Sequence, residues 1–122
     1  MKVVPARYMS IVDSLWKNPR LPMTPEEERA WIHWEDEIHI PDLLRDSGLI
    51  QVTRYCAKDN SGVLHLQEFE SEEAMERFLV SERRNQLRGE TESNYPGGPE
   101  PHCHFQKRIV RPFIPVVSKF RD

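Results

Sequence analysis

The feature that most restricts this chain is a hairpin pattern set between two helix starts. Leu49-Ile50-Gln51-Val52-Thr53-Arg54-Tyr55-Cys56 alternates with the period of a strand, Lys58-Asp59-Asn60-Ser61-Gly62 supplies turn residues, and Val63 to Phe69 alternates again. Ahead of the hairpin, Thr24-Pro25-Glu26-Glu27 combines an N-cap hydroxyl, Pro at the first helical position and Glu three residues after the cap. Behind it, Ser71-Glu72-Glu73 repeats the capping chemistry. A strand over Tyr8–Val12 precedes these elements, and one over Phe105–Pro112 follows them.

This βαββαβ order predicts an α+β ferredoxin-like domain, an antiparallel sheet with both helices on one face. The first helix should run from Pro25 to Ile38 or His39. At 100° per residue, Trp31, Trp34, Glu35 and Ile38 share a stripe, His33 points away and His39 lies at the stripe's edge. Pro41 disfavours helix for Ile40, which predicts a bend beside His39 and a pocket lip there. One or two more helical turns then end at Gly48. The second helix, with Met75, Phe78, Leu79 and Glu82 on one face, should end near Arg88-Gly89. Residues 89–104 form a turn-rich loop, and Pro112 and Pro115 make 112–122 an edge strand or arm. Ile50, Val52, Leu64 and Leu66 are too apolar to leave the other sheet face in water, so a second copy of the chain should cover it.

The 122 residues fit one domain spanning 1–122. Seventeen Lys+Arg against twenty Asp+Glu are interleaved along the chain, which argues against a nucleic-acid groove. No apolar run reaches the roughly 20 residues of a membrane span, and the first residues lack a signal-peptide pattern. Cys56 and Cys103 are therefore expected as free thiols in a cytoplasmic protein.

Among the residues able to carry chemistry, His39 comes first. An imidazole titrates near neutrality and can move protons; alternatively it only caps the helix. His65 shares a face with Val63, Gln67 and Phe69, and either packs or lines a cleft. Arg54 and Tyr55 point to opposite faces, so one of them can hold an oxygen that gains charge; the plainer role for Arg54 is an ion pair with Glu68 across the hairpin. Glu35, on an apolar stripe, needs Arg7 or Arg54 as partner, or becomes an acid of raised pKa. Trp31, Trp34 and Tyr95 can stack on an aromatic substrate, or the tryptophans are plain core. His102 and His104, two apart, could share a metal with His65 or Glu68 as third ligand. No Gly-rich phosphate loop is present.

The run from Pro22 to Pro41, with Trp34 and His39-x-Pro41, followed by Gly48-Leu49 and a strand ending Thr53-Arg54-Tyr55, resembles the EthD-like branch of the dimeric α+β barrel proteins. Leu66–Ala74 is similar to the strand-to-second-helix passage of those barrels, so the resemblance spans Tyr8 to Leu79. It implies a homodimer holding small, often aromatic or cyclic molecules between sheet and helices. Members include polyketide cyclases, lactone isomerases, cofactor-free quinone-forming monooxygenases and haem-degrading enzymes. The resulting expectation is acid/base chemistry without a cofactor, a lyase, isomerase or cyclase step. His39 would shuttle the proton, and Arg54, Tyr55 or His65 would orient the substrate. Two alternatives stand beside it: a metal- or oxygen-dependent monooxygenase using His65, His102 and His104, and a non-catalytic ligand-binding or stress-response module.

Overall fold

The computed structural model describes residues 2–3, 7–21, 23–45, 48–81 and 105–121. In chain order these form β1 (Lys2–Val3), β2 (Tyr8–Trp16), α1 (Pro25–Trp34), a π-helical turn (Glu35–His39), α2 (Ile40–Leu44), β3 (Leu49–Cys56), β4 (Gly62–Phe69), α3 (Glu72–Val80), β5 (Phe105–Phe113) and β6 (Lys119–Phe120). The main sheet is antiparallel in the order β3-β4-β2-β5. That is the ferredoxin-like arrangement the element order predicts. β1 and β6 pair separately at the chain ends, so the arm after Pro112 returns to the N-terminal residues.

Alternation along β2 buries Ser10, Val12, Ser14 and Trp16 against the helices. Two apolar clusters fill that face. Trp16, Trp31, Trp34 and Val63 form one; Leu43, Leu49, Phe69, Met75 and Phe78 form the other. His65 and Gln67 lie between Val63 and Phe69 on β4, so a polar seam separates the clusters.

Several expectations change. β2 extends past Val12 to Trp16, because pairing with both β4 and β5 satisfies its backbone over that length. α3 ends at Val80: Ser81 is extended (φ −76°, ψ 151°) and its hydroxyl donates to the Phe78 carbonyl. Val52 packs toward the helices with the Leu43 cluster, because an irregularity between Leu49 and Gln51 shifts the register. Leu64 and Leu66, paired with Asp13 and Ile11 on β2, do face the open side. Pro112 sits within β5, where an edge strand tolerates a missing donor.

The chain stays helical through Pro41 instead of ending a helix there. Ile40 is helical (φ −62°, ψ −45°), and its N–H reaches the Glu35 carbonyl, one residue beyond the α-helical partner. The physical cause is Pro41 itself. It lacks the N–H that Glu37's carbonyl would accept, and its ring crowds that carbonyl. A widened turn just before the proline relieves both problems while the chain stays helical.

Candidate active site

The π-helical turn decides which side chains meet. In an α-helix Ile38 would follow Trp34 on the same face, but i→i+5 spacing brings His39 there instead. The His39 ring lies over Trp34 with centroids 4.5 Å apart and planes 15° from parallel, while Ile38 is half exposed. Glu35, only 4% exposed, reaches from the same turn to β4. Its Oε1 accepts a hydrogen bond from His65 Nε2.

A carboxylate buried this deeply needs compensation. Burial pushes the Glu35 carboxyl up, but the hydrogen bond and charge of His65, with His39 and Arg54 behind it, outweigh burial and hold it below its ordinary value. Glu35 is thus the anionic centre of the seam. His39 shows the opposite balance: burial, then Arg108 and His65, depress its pKa from 6.5 to about 4 against the pull of Glu35. The helix-end position does not keep it charged. Its Nδ1 is buried and has no hydrogen-bond partner among the described residues, so it is a neutral ring with an unused polar atom.

Arg54 stands opposite His65 in the β3–β4 ladder. Its Nη1 donates to Asp36 Oδ1 at 2.6 Å and its Nη2 to Oδ2 at 3.3 Å. The guanidinium also sits 5.4 Å from the centre of the Trp31 ring. The pair with Glu68 is replaced by one with Asp36, because the helix passes over β3 and presents a carboxylate directly. Two acid–base pairs, Glu35–His65 and Asp36–Arg54, therefore lie side by side.

The structure brings together His39, Arg54, His65, Trp31, Trp34 and Glu35. Trp31 and Trp34 are buried core that also walls the seam. Tyr55 is not among them: it alternates to the open sheet face and is 52% exposed. Tyr95, His102 and His104 lie outside the described residues, and no group of three metal-binding side chains occurs among the described ones. Cys56 is free and exposed, and Cys103 lies outside the described residues. No helix among the described residues is long and apolar enough to cross a membrane. Sequence reasoning missed Asp36, whose only signal is its place beside Glu35, and Arg108. The latter pairs with buried Ser14 and so shares the helix-side face of β5.

No family model matches the chain, and no curated protein is similar to it in sequence. Solved structures are similar in fold. A monooxygenase from the gene ActVA-Orf6 of Streptomyces coelicolor, in complex with nanaomycin D, has a TM-score of 0.61 at 16% identity, covering 95% of this chain and 93% of its own. A putative antibiotic biosynthesis monooxygenase from Bordetella bronchiseptica has a TM-score of 0.56 at 14% identity, with 91% and 99% covered. A dimeric ferredoxin-like protein of unknown function from Jannaschia sp. CCS1 has a TM-score of 0.50 at 12% identity, with 88% and 98% covered. Identities this low carry the ferredoxin-like fold alone, and they do not single out the EthD-like branch. The functional expectation is corrected as well. Neighbours described by activity are monooxygenases, which overturns the lyase, isomerase or cyclase step in favour of the oxygen-using alternative.

Proposed function

We propose that this chain is a monooxygenase that inserts one atom of O2 into an activated carbon of a small aromatic or cyclic molecule. The observation that carries the reading is the buried Glu35–His65 pair. With its Nε2 proton given to an ionised Glu35, His65 has Nδ1 as its basic nitrogen, and the imidazolium that forms on proton uptake is stabilised by the carboxylate. The His65 side chain keeps 15% exposure, so a molecule can reach it.

Such a base suits a substrate with an acidic methylene flanked by aromatic rings. His65 takes one proton, leaving a delocalised carbanion electron-rich enough to react with O2. A C–O bond forms, and the proton returns to the distal peroxide oxygen. Loss of the second C–H proton with cleavage of the O–O bond gives a ketone and water. One methylene and one O2 thus become one carbonyl and one water, and the substrate carbon supplies the electrons. Arg54, held by Asp36, offers positive charge beside a ring oxygen that gains charge, and His39 Nδ1 offers a hydrogen-bonding atom in the same seam. The fold shared with named monooxygenases supports this chemistry.

The functional unit in this reading is a homodimer, to which each chain contributes its single domain. Leu15 and Ile109 on the open sheet face remain 41% and 37% exposed, beside Ile11, Leu64 and Leu66, and a second copy would bury them.

The test is oxygen uptake with anthrone, a tricyclic ketone with a doubly benzylic methylene, after EDTA treatment of the protein. Support is one O2 consumed per quinone formed, one labelled atom from 18O2 in the product, and loss of at least about a hundredfold in rate for His65→Ala. Uptake no faster than in buffer, or an undiminished rate in His65→Ala, would overturn the reading.

A further inference from the structure

We propose that a cavity separate from the Glu35–His65 pair binds a flat aromatic molecule carrying a hydroxyl and a carbonyl on one edge. The proposal concerns binding alone and does not depend on oxygen chemistry. The cavity encloses about 330 Å³ where β2 leaves the sheet, α1 begins and β3 turns into β4, a volume within the range of small-molecule sites. Glu35, His39 and His65 do not line it.

Its apolar wall is the tryptophan cluster. Trp16 and Trp31 meet edge to face, 6.0 Å between centroids and 78° between planes, and Val63 and Met23 complete the wall. Both indoles line the cavity and give a flat aromatic guest an apolar, aromatic wall to pack against. The rim is different in character. Arg20 and Glu28 both line the mouth, and neither forms an ion pair among the described residues. A guanidinium only donates and a carboxylate only accepts. Together they match a carbonyl and a hydroxyl on one edge of a guest, while a guest of either net charge meets one repulsive partner.

The rim is also held in place before any guest arrives. Asn60, in the left-handed conformation (φ 61°) that asparagine tolerates, donates from Nδ2 to the Pro19 carbonyl at 2.6 Å. Trp16 N–H donates to the Ser61 carbonyl at 3.0 Å. These bonds tie the hairpin turn to the segment carrying Arg20, which lowers the ordering cost of binding.

Cys56 lines the same cavity and is exposed, so it can report occupancy. In full-length protein carrying Cys103→Ser, 7-hydroxycoumarin, whose hydroxyl and lactone carbonyl share one edge, should bind one to one. Arg20→Met and Glu28→Gln should each weaken it about tenfold, the loss of one charge-assisted hydrogen bond. Coumarin, which lacks the hydroxyl, should bind the unmutated rim about as weakly as 7-hydroxycoumarin binds Glu28→Gln. Saturating 7-hydroxycoumarin should slow N-ethylmaleimide capture of Cys56 more than about fivefold, since a guest in the cavity covers the thiol. Absence of saturable binding overturns the proposal. So does binding that both rim variants leave unchanged, or that His65→Ala abolishes while Cys56 stays unprotected.

Discussion

Replacing His39 with phenylalanine should remove a large part of the protein's sensitivity to mild acid. Burial holds the His39 pKa at about 4 in the folded chain, against 6.5 when exposed. Below 6.5 the unfolded chain therefore takes up a proton that the folded chain refuses. Unfolding is favoured as pH falls, and the loss is complete once pH passes below about 4. At 1.36 kcal/mol per decade, the cost reached by pH 4.5 is about 2.5 kcal/mol. Phenylalanine keeps a flat ring over Trp34 but cannot titrate. Glu35 does not blur the comparison. Its folded pKa lies below 4.5, so its stabilisation is present above 4.5 and is lost only as pH falls through that lower value. Urea unfolding at pH 7.5 and 4.5, at one fixed protein concentration, measures the difference. The unmutated chain should lose about 2.5 kcal/mol more than His39→Phe, and equal losses would refute the burial of a neutral His39.

Three further changes probe the frame around the site. Gly48→Ala should destabilise the chain by more than about 2 kcal/mol in urea unfolding. Gly48 has φ +94°, and an added Cβ would lie 2.4 Å from Ala74 Cβ, so α3 would have to move off β3. Thr24→Ala should cost about 1 kcal/mol, since Thr24 Oγ1 accepts from Glu27 N–H at 3.2 Å and Glu27 Oε1 accepts from Thr24 N–H at 3.1 Å; the same unfolding assay reads it. Pro41→Ala should let the helix close to regular α spacing, turning His39 away from Trp34 by roughly 100°. The near-ultraviolet dichroism of the tryptophans should change, and oxygen uptake should fall at least about tenfold.

The fold was legible because its signals are local and redundant. The hairpin alternation, the capping box at Thr24 and the cap at Ser71 each specify an element on their own, and their order leaves little choice of topology. The site was legible only in part. Glu35 stood out as a charge on an apolar stripe and His65 as a polar residue in a buried strand, but nothing short of three dimensions pairs residues 30 positions apart. Arg54 was expected to find a carboxylate, and it did; that the carboxylate is Asp36 depends on how α1 crosses β3. Val52 misled because one irregularity near Leu49 flips a strand's inward and outward faces. The cavity was not legible at all, since its rim gathers Arg20, Glu28 and Asn60 from three segments with no shared pattern.

His39 shows why a correct motif can rest on the wrong geometry. A histidine shortly before a proline suggested a helix end, with the ring at the lip of a bend. Pro41 acts instead on the turn before it. By denying Glu37 a donor it widens the helix by one residue, and that residue moves His39 from the edge of the apolar stripe to its centre. Burial then costs the ring its charge. A neutral imidazole beside an ionised Glu35 leaves His65 as the seam's only side chain paired directly to that carboxylate among the described residues. The two histidines are therefore not equivalent: His65 hydrogen-bonds the Glu35 carboxylate directly, whereas burial makes His39 resist protonation until about pH 4. Within one seam, hydrogen bonding to the carboxylate distinguishes His65 from the buried, neutral His39, and the proline two residues past His39 sets that difference.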